Sequence, residues 1–248
     1  MEFMTSDFTA ELVGTMILVL LGNGVVAGVL LRRSKSENAG WIVVTTGWAL
    51  GVSMGIYVTG WISGAHLNPA VTVAFVAVGD LSPGLAFSYI SGQILGAALG
   101  SLLVFLAYQP HWRETDDADA KLSCFCTMPA IRRPFFNFLT EVIGTAMLLL
   151  GVLGIADRHN GLTGGMAPLA VGLLVLGIGL SLGGPTGYAI NPARDFVPRV
   201  MHALLPVPGK RDADWAYSWI PIAGPLLGGI LGAVFYKLFV AHLNAMGG

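Results

Sequence analysis

An all-α membrane protein, with six transmembrane helices and two half-helices in an inverted repeat, is predicted by three features of the sequence. Of its 248 residues, 54% are hydrophobic and only 11% are charged, whereas a soluble domain carries about 25% charged residues. Six apolar runs have the length needed to cross a hydrocarbon core of roughly 30 Å, which takes about 20 residues of helix. The second half of the chain then repeats motifs of the first half in the same order.

The first run, residues 8–31, holds a single charge, Glu11. Acidic Glu2 and Asp7 stand ahead of it where a signal peptide would have a basic n-region, and no small-residue cleavage site follows, so it reads as a retained span. Residues 41–62 and 85–108 carry no charge, 135–156 carry only Glu141, and 167–183 and 216–236 carry none. Two other apolar pieces, 68–78 and 191–205, are too short to cross. Each starts with Asn-Pro, where Asn suits the N-cap and Pro the first helical position, so each reads as a half-helix. The connections 32–40, 111–133, 157–165 and 206–215 are polar. A β-barrel would show short alternating segments instead of these long runs.

Glu11-Leu-Val-Gly14-Thr15 recurs as Glu141-Val-Ile-Gly144-Thr145, and Gly64-Ala-His-Leu-Asn-Pro-Ala70 recurs as Gly187-Tyr-Ala-Ile-Asn-Pro-Ala193. The glycines Gly92, Gly96 and Gly100 recur as Gly224, Gly228 and Gly232, and read as close helix packing. The repeats are residues 1–130 and 131–248, one channel domain overall, with the junction near 128–134. Three spans per repeat is an odd number, so the halves insert with opposite topology and place a site at the midplane between the broken helices.

Half-helices exist at membrane depth only where their irregular backbone is buried in protein or lines a wet cavity. The N-termini at Asn68-Pro69-Ala70 and Asn191-Pro192-Ala193 meet there, and their positive dipole ends disfavour cations. Both Asn amides can donate into the lumen, while the carbonyls of Gly64, Ala65, His66 and Leu67 and of Tyr188, Ala189 and Ile190 can accept. Such a ladder lets a neutral polar solute exchange water partners at little net cost.

The paired Asn-Pro-Ala motifs, the stretch SGAHLNPAVT at 63–72 and the six-plus-two plan resemble the major intrinsic proteins, the aquaporins and glycerol facilitators, over nearly the whole chain. The continuation Asn191-Pro-Ala-Arg194-Asp195-Phe-Val-Pro-Arg199 resembles the glycerol-conducting branch, as do Pro225-Leu226 and Tyr108. Asp195 and Arg199 are four residues apart on a helix, a spacing suited to an ion pair that holds the following loop. The resemblance implies a selectivity filter of Trp48, Gly179, Tyr188 and Arg194. In it two aromatic faces oppose a guanidinium that donates to hydroxyls and repels cations, and Gly179 leaves room where water-only pores place a His. Tyr188 departs from the Phe usual there. Its hydroxyl either narrows the pore toward water or adds a hydrogen bond for another small polyol or an undissociated hydroxy acid. The resemblance also implies a homotetramer, and the short tails accord with the plasma membrane of a microbe.

Glu11 and Glu141, equivalent in the two repeats, are expected to accept hydrogen bonds from the pore loops and brace them, with a proton relay as the alternative. His66 is expected to pack behind its loop and offer only its carbonyl, with a pH-sensitive gate as the alternative. Trp41, Trp61, Trp215 and Tyr236 read as interfacial anchors. Cys124 and Cys126 suggest neither a disulfide framework nor a zinc site, and no metal or cofactor is expected. Thirteen basic against fourteen acidic residues exclude nucleic acid as a partner. Eleven of the thirteen (Arg32, Arg33, Lys35, Arg113, Lys121, Arg132, Arg133, Arg194, Arg199, Lys210 and Arg211) fall on one side of the membrane. By charge alone this places the N-terminus outside, against the cytoplasmic termini of the family. The expected activity is passive passage of glycerol, water and similar small uncharged solutes across the lipid bilayer. A water-selective pore and a proton-coupled transporter are the alternatives, and no nucleophile–base pair within the spans suggests an enzyme.

Overall fold

The structure, a computed structural model, describes residues 6–162 and 165–247. Glu2 and positions 163–164 of the 157–165 connection lie outside the described residues. The elements are α1 (Ser6–Leu30), α2 (Trp41–Ser63), α3 (Pro69–Ala77), α4 (Pro83–Ala107), α5 (His111–Glu114), α6 (Ala118–Ser123), α7 (Pro134–Ala156), α8 (Met166–Leu182), α9 (Pro192–Leu204) and α10 (Ile220–Gly247). There is no strand among the described residues. By length and apolarity α1, α2, α4, α7 and α10 can cross a membrane. The sixth span, α8, has 17 residues and rises about 26 Å. The chain is an integral membrane protein.

The last span departs from its expected bounds of 216–236. Tyr217 N and Ser218 N donate to Asp214 O and Trp215 O, so 214–219 form turns and the helix starts at Ile220. At the far end, no Pro interrupts the chain after Tyr236, and the helix continues to Gly247. The connection 111–133 is also more ordered than a polar loop, since it folds into α5 and α6. Trp112 is buried at 0% exposure, and its ring stacks 5.6 Å from that of Phe125.

Helix pairing follows the glycine repeat. A Cβ on Gly96 of α4 would lie 2.2 Å from Leu12 O of α1, and one on Gly228 of α10 would lie 2.3 Å from Val142 O of α7. Backbones in such contact gain packing that hydrophobicity cannot supply between helices in lipid. On the side of the termini, Lys237 pairs with Asp80 at 2.8 Å and the Tyr236 hydroxyl donates to Asp157 at 2.8 Å, tying α10 to the α3–α4 and α7–α8 connections. Tyr236 is therefore a clasp as well as an interfacial ring. Hydrogen bonds from the His159 backbone N–H and the Tyr236 hydroxyl hold the Asp157 carboxyl down at about 2, so this clasp stays charged at every pH a cell meets.

On the opposite side the basic residues are largely engaged. Lys121 and Lys210 donate to carbonyls, Lys210 to those of His202, Ala203 and Leu205 at the C-terminus of α9. Arg33 pairs with Glu114, Arg132 with Asp214, and Arg211 with Asp119. Eight acidic residues (Glu37, Glu114, Asp116, Asp117, Asp119, Asp195, Asp212 and Asp214) share that face. The topology rule counts basic residues and gives acidic ones little weight, so the excess of lysine and arginine on this side stands against the orientation that the family resemblance implies.

Candidate functional site

The two half-helices begin as their sequences dictate. Asn68 and Asn191 have extended backbones (φ −159° and −156°), and each Oδ1 accepts the N–H two residues on, from Ala70 at 2.8 Å and Ala193 at 2.9 Å. Each Nδ2 then donates across the midplane: Asn68 to Ile190 O and Asn191 to Leu67 O, both at 2.8 Å. A carboxamide has two N–H donors, so one remains on each Asn, and both residues line a cavity. The carbonyls of Leu67 and Ile190, expected members of the acceptor ladder, each take one hydrogen bond from the opposing Asn and have a second acceptor site.

The strands of loop ahead of the caps repeat an unusual conformation. Gly64, Ala65 and Leu67 have φ of 79°, 51° and 51°, and Gly187, Tyr188 and Ile190 have 79°, 39° and 44°. Left-handed non-glycine residues cost on the order of 1–3 kcal/mol each and persist only where surroundings over-determine them. Here those surroundings are two buried carboxylates. Glu11 accepts from His66 N at 2.8 Å, Leu67 N at 2.7 Å, Ser63 Oγ at 2.7 Å and Gln93 Nε2 at 2.7 Å. Glu141 accepts from Ala189 N at 3.0 Å, Ile190 N at 2.8 Å and Thr186 Oγ1 at 2.7 Å. With these N–H groups turned to the carboxylates, the carbonyls of Gly64, Ala65, His66, Tyr188 and Ala189 accept no hydrogen bond within the described protein, and all five residues line the cavity.

His66 lines the cavity, its ring between Phe75 and Tyr89 at centroid distances of 4.7 and 4.9 Å, with Nδ1 3.2 Å from Thr72 Oγ1.

A cavity of about 580 Å³ on the side of the termini and one of about 420 Å³ on the opposite side share Trp48, Tyr188 and Arg194 in their linings, so these three form the neck. Two features differ from the expected arrangement. The Arg194 guanidinium does not face Trp48 across the lumen but lies over its ring, 4.0 Å from the centroid, a cation–π contact. Gly179 lines neither cavity, and the room it leaves is taken by Tyr188: a Cβ there would lie 2.8 Å from Tyr188 Cζ. Trp41, read as an interfacial anchor, backs this corner. Its Nε1 donates to Gly179 O at 3.0 Å, and its ring stands edge-on to Tyr188 at 5.7 Å. Its place at a span end hid this role.

Arg194 makes no side-chain hydrogen bond within the described protein, and its neighbour Asp195 is engaged elsewhere. Asp195 accepts from Arg199 Nη2 at 2.9 Å and from Thr127 N and Oγ1 at 2.7 and 2.6 Å. Arg199 also donates to Ala213 O, Asp214 O and Thr127 O. This fully buried pair clasps residues 126–128 as one wall of the smaller cavity. Cys126 stands in that wall, and burial pushes its thiol and that of Cys124 up, leaving both protonated and inert. No group of metal-ligating side chains occurs among the described residues. Tyr108, Pro225 and Leu226 line neither cavity.

The sequence matches the family described as Major intrinsic protein over residues 2–236. It is 61% identical to a probable glycerol uptake facilitator protein of Thermotoga maritima, over 94% of this chain and 98% of that one. It is 52% identical to the glycerol uptake facilitator protein of Bacillus subtilis, over 96% of this chain and 86% of that one. Its structure resembles that of the aquaglyceroporin from Plasmodium falciparum with a TM-score of 0.87 and 29% identity, covering 98% and 99% of the two chains. The protein belongs to the major intrinsic protein family.

Proposed function

We propose that the protein is a passive pore for glycerol, water and comparable small uncharged solutes, working as a homotetramer in the plasma membrane of a microbe with both termini in the cytoplasm. Two inverted repeats, 1–130 and 131–248, form the pore between them. The observation that carries this reading is the neck. Two cavities meet at Trp48, Tyr188 and Arg194, where an unpaired guanidinium and the free N–H groups of Asn68 and Asn191 offer donors and the pore-loop carbonyls offer acceptors. The rest of the larger cavity's wall is apolar, with Leu18, Val52, Ile56, Val71, Leu148 and Val175. A polyol with hydroxyls along one edge and carbons along the other meets both walls at once, so its desolvation is offset without tight binding.

The test is light scattering from proteoliposomes. Vesicles shrunk by glycerol are expected to re-swell at a rate well above that of protein-free vesicles, whereas shrinkage without faster re-swelling would leave a water-selective pore. Gly179→Ala places a methyl group 2.8 Å from Tyr188 Cζ and 2.9 Å from Thr45 Cγ2. It is expected to push the phenol into the neck and slow glycerol re-swelling severalfold with little change in folding. An unaltered rate would show that the ring has another place to go.

A further inference from the structure

The last turn of α9 buries a histidine that the pore does not use. His202 is 0% exposed, and neither ring nitrogen has a hydrogen-bond partner among the described residues. Its ring stands edge-on to that of Phe125 at 5.4 Å, and Phe125, also 0% exposed, stacks in turn on Trp112. Phe125 O accepts from Asn23 Nδ2 at 3.2 Å, and the residues that follow, Cys126, Thr127 and Met128, line the smaller cavity. His202 thus forms part of the seat on which this wall of the cavity rests.

A proton on His202 would find no acceptor. The C-terminal carbonyls of α9, where a cation is favoured, are taken by Lys210, whose Nζ donates to those of His202, Ala203 and Leu205. The charges that bear on the ring are Arg199 of its own helix and Lys210, Arg211 and Asp212 of the following connection. Three of these are cations, and the carboxylate of Asp212 pairs with Arg211. On α6, Asp119 also pairs with Arg211, and Lys121 donates to Pro208 O. Residues 123–131, α4 and the part of α10 before Lys237 carry no charged side chain. A buried imidazole among cations stays neutral, whereas a released one titrates near the ordinary histidine value of about 6.5. The seating of Phe125 is therefore complete above that range and weakens as pH falls through it.

We propose that His202 is a proton-sensitive lock on the wall of the smaller cavity, holding residues 124–128 in place at neutral pH and freeing them in acid. Close-packed protein lies behind this segment and the cavity in front, so the freed wall moves into the lumen and slows passage.

The chain has two cysteines, Cys124 and Cys126, which flank Phe125 and are buried, so their accessibility reports the release. Proteoliposomes are held at about pH 7.5 or 5.5 on both sides, a unit above and below the ordinary histidine value. They are treated with 4,4′-dithiodipyridine, which modifies thiols in acid as well, and each rate is divided by that of free cysteine at the same pH. The corrected rate is expected to rise about tenfold from the higher pH to the lower, the factor that a proton taken up only on release imposes on the opening equilibrium. Glycerol re-swelling of the same vesicles is expected to slow about twofold or more. His202→Phe keeps a ring against Phe125 without the proton, and His202→Gln serves where the first variant does not fold. Both readouts are expected to be independent of pH in the variant. Labelling that is flat in the unaltered protein, or that rises equally in the variant, overturns the lock. A tenfold rise in labelling with unchanged re-swelling overturns the movement into the lumen. If the unaltered protein passes no glycerol at the higher pH, the polyol-pore reading falls, while the labelling, which does not rest on that reading, still decides the lock.

Discussion

Glu141→Leu is expected to lower the melting temperature of the detergent-solubilised protein by about 10 °C or more. The carboxylate is 1% exposed and accepts from three groups, Thr186 Oγ1, Ala189 N and Ile190 N. Leucine fills a similar volume and leaves those donors bare, at about 1–3 kcal/mol each, against a total stability of about 5–15 kcal/mol. The loop it releases holds Tyr188 and Ile190 in left-handed conformations, so the strain has nothing left to oppose it. Glu11 has a fourth donor, Gln93, and Pro225 stands at the corresponding place in the second repeat. The second pore loop therefore depends on its carboxylate more narrowly than the first. Glu141→Gln keeps one acceptor oxygen and is expected to fall between the two. Its glycerol flux, like that of the parent, is expected to be independent of a proton gradient, since the carboxylate is taken up by three donors of its own loop. A melting temperature within two or three degrees of the parent for Glu141→Leu would remove the bracing role.

Much of this arrangement was legible in the sequence because it rests on local chemistry. Asn followed by Pro specifies a helix start whatever surrounds it. A charge in an apolar run must find donors, and an acid four residues before an arginine on one helix must find it first. The departures concern groups whose role is set by a neighbour far along the chain. Trp41 at a span end cannot be told from an interfacial anchor until α8 brings Gly179 to its indole, 138 residues away. Gly179 reads as empty space until Tyr188 fills it. Leu67 and Ile190 look like free acceptors until the opposing Asn amides arrive, and the non-glycine left-handed positions between them have no compositional signal. The lysines and arginines on one face point to an orientation opposite to that of the resemblance, and Lys121 and Lys210 among them donate to backbone carbonyls.

Arg194→Val is expected to leave glycerol flux within a few-fold of the parent and to raise proton and cation leakage through the pore about tenfold or more. The guanidinium is 6% exposed, so it acts in a site with little water to screen it, and Asp195 beside it is neutralised by Arg199. A cation entering the neck from either cavity therefore meets an uncompensated charge. Valine removes that charge but not the two half-helix N-termini below it, whose dipoles and Asn donors still disfavour cations. The leak is accordingly partial, which separates the charge of the neck from that of the midplane. Valine also uncovers the face of Trp48 on which the guanidinium lies at 4.0 Å, so the neck widens and larger polyols gain more than glycerol does. A pH-sensitive dye trapped in proteoliposomes reads the proton leak, and light scattering on the same vesicles reads solute flux. If the dye response matches that of the parent while the solute profile broadens, Arg194 sets the size of the neck and the half-helix dipoles alone exclude ions.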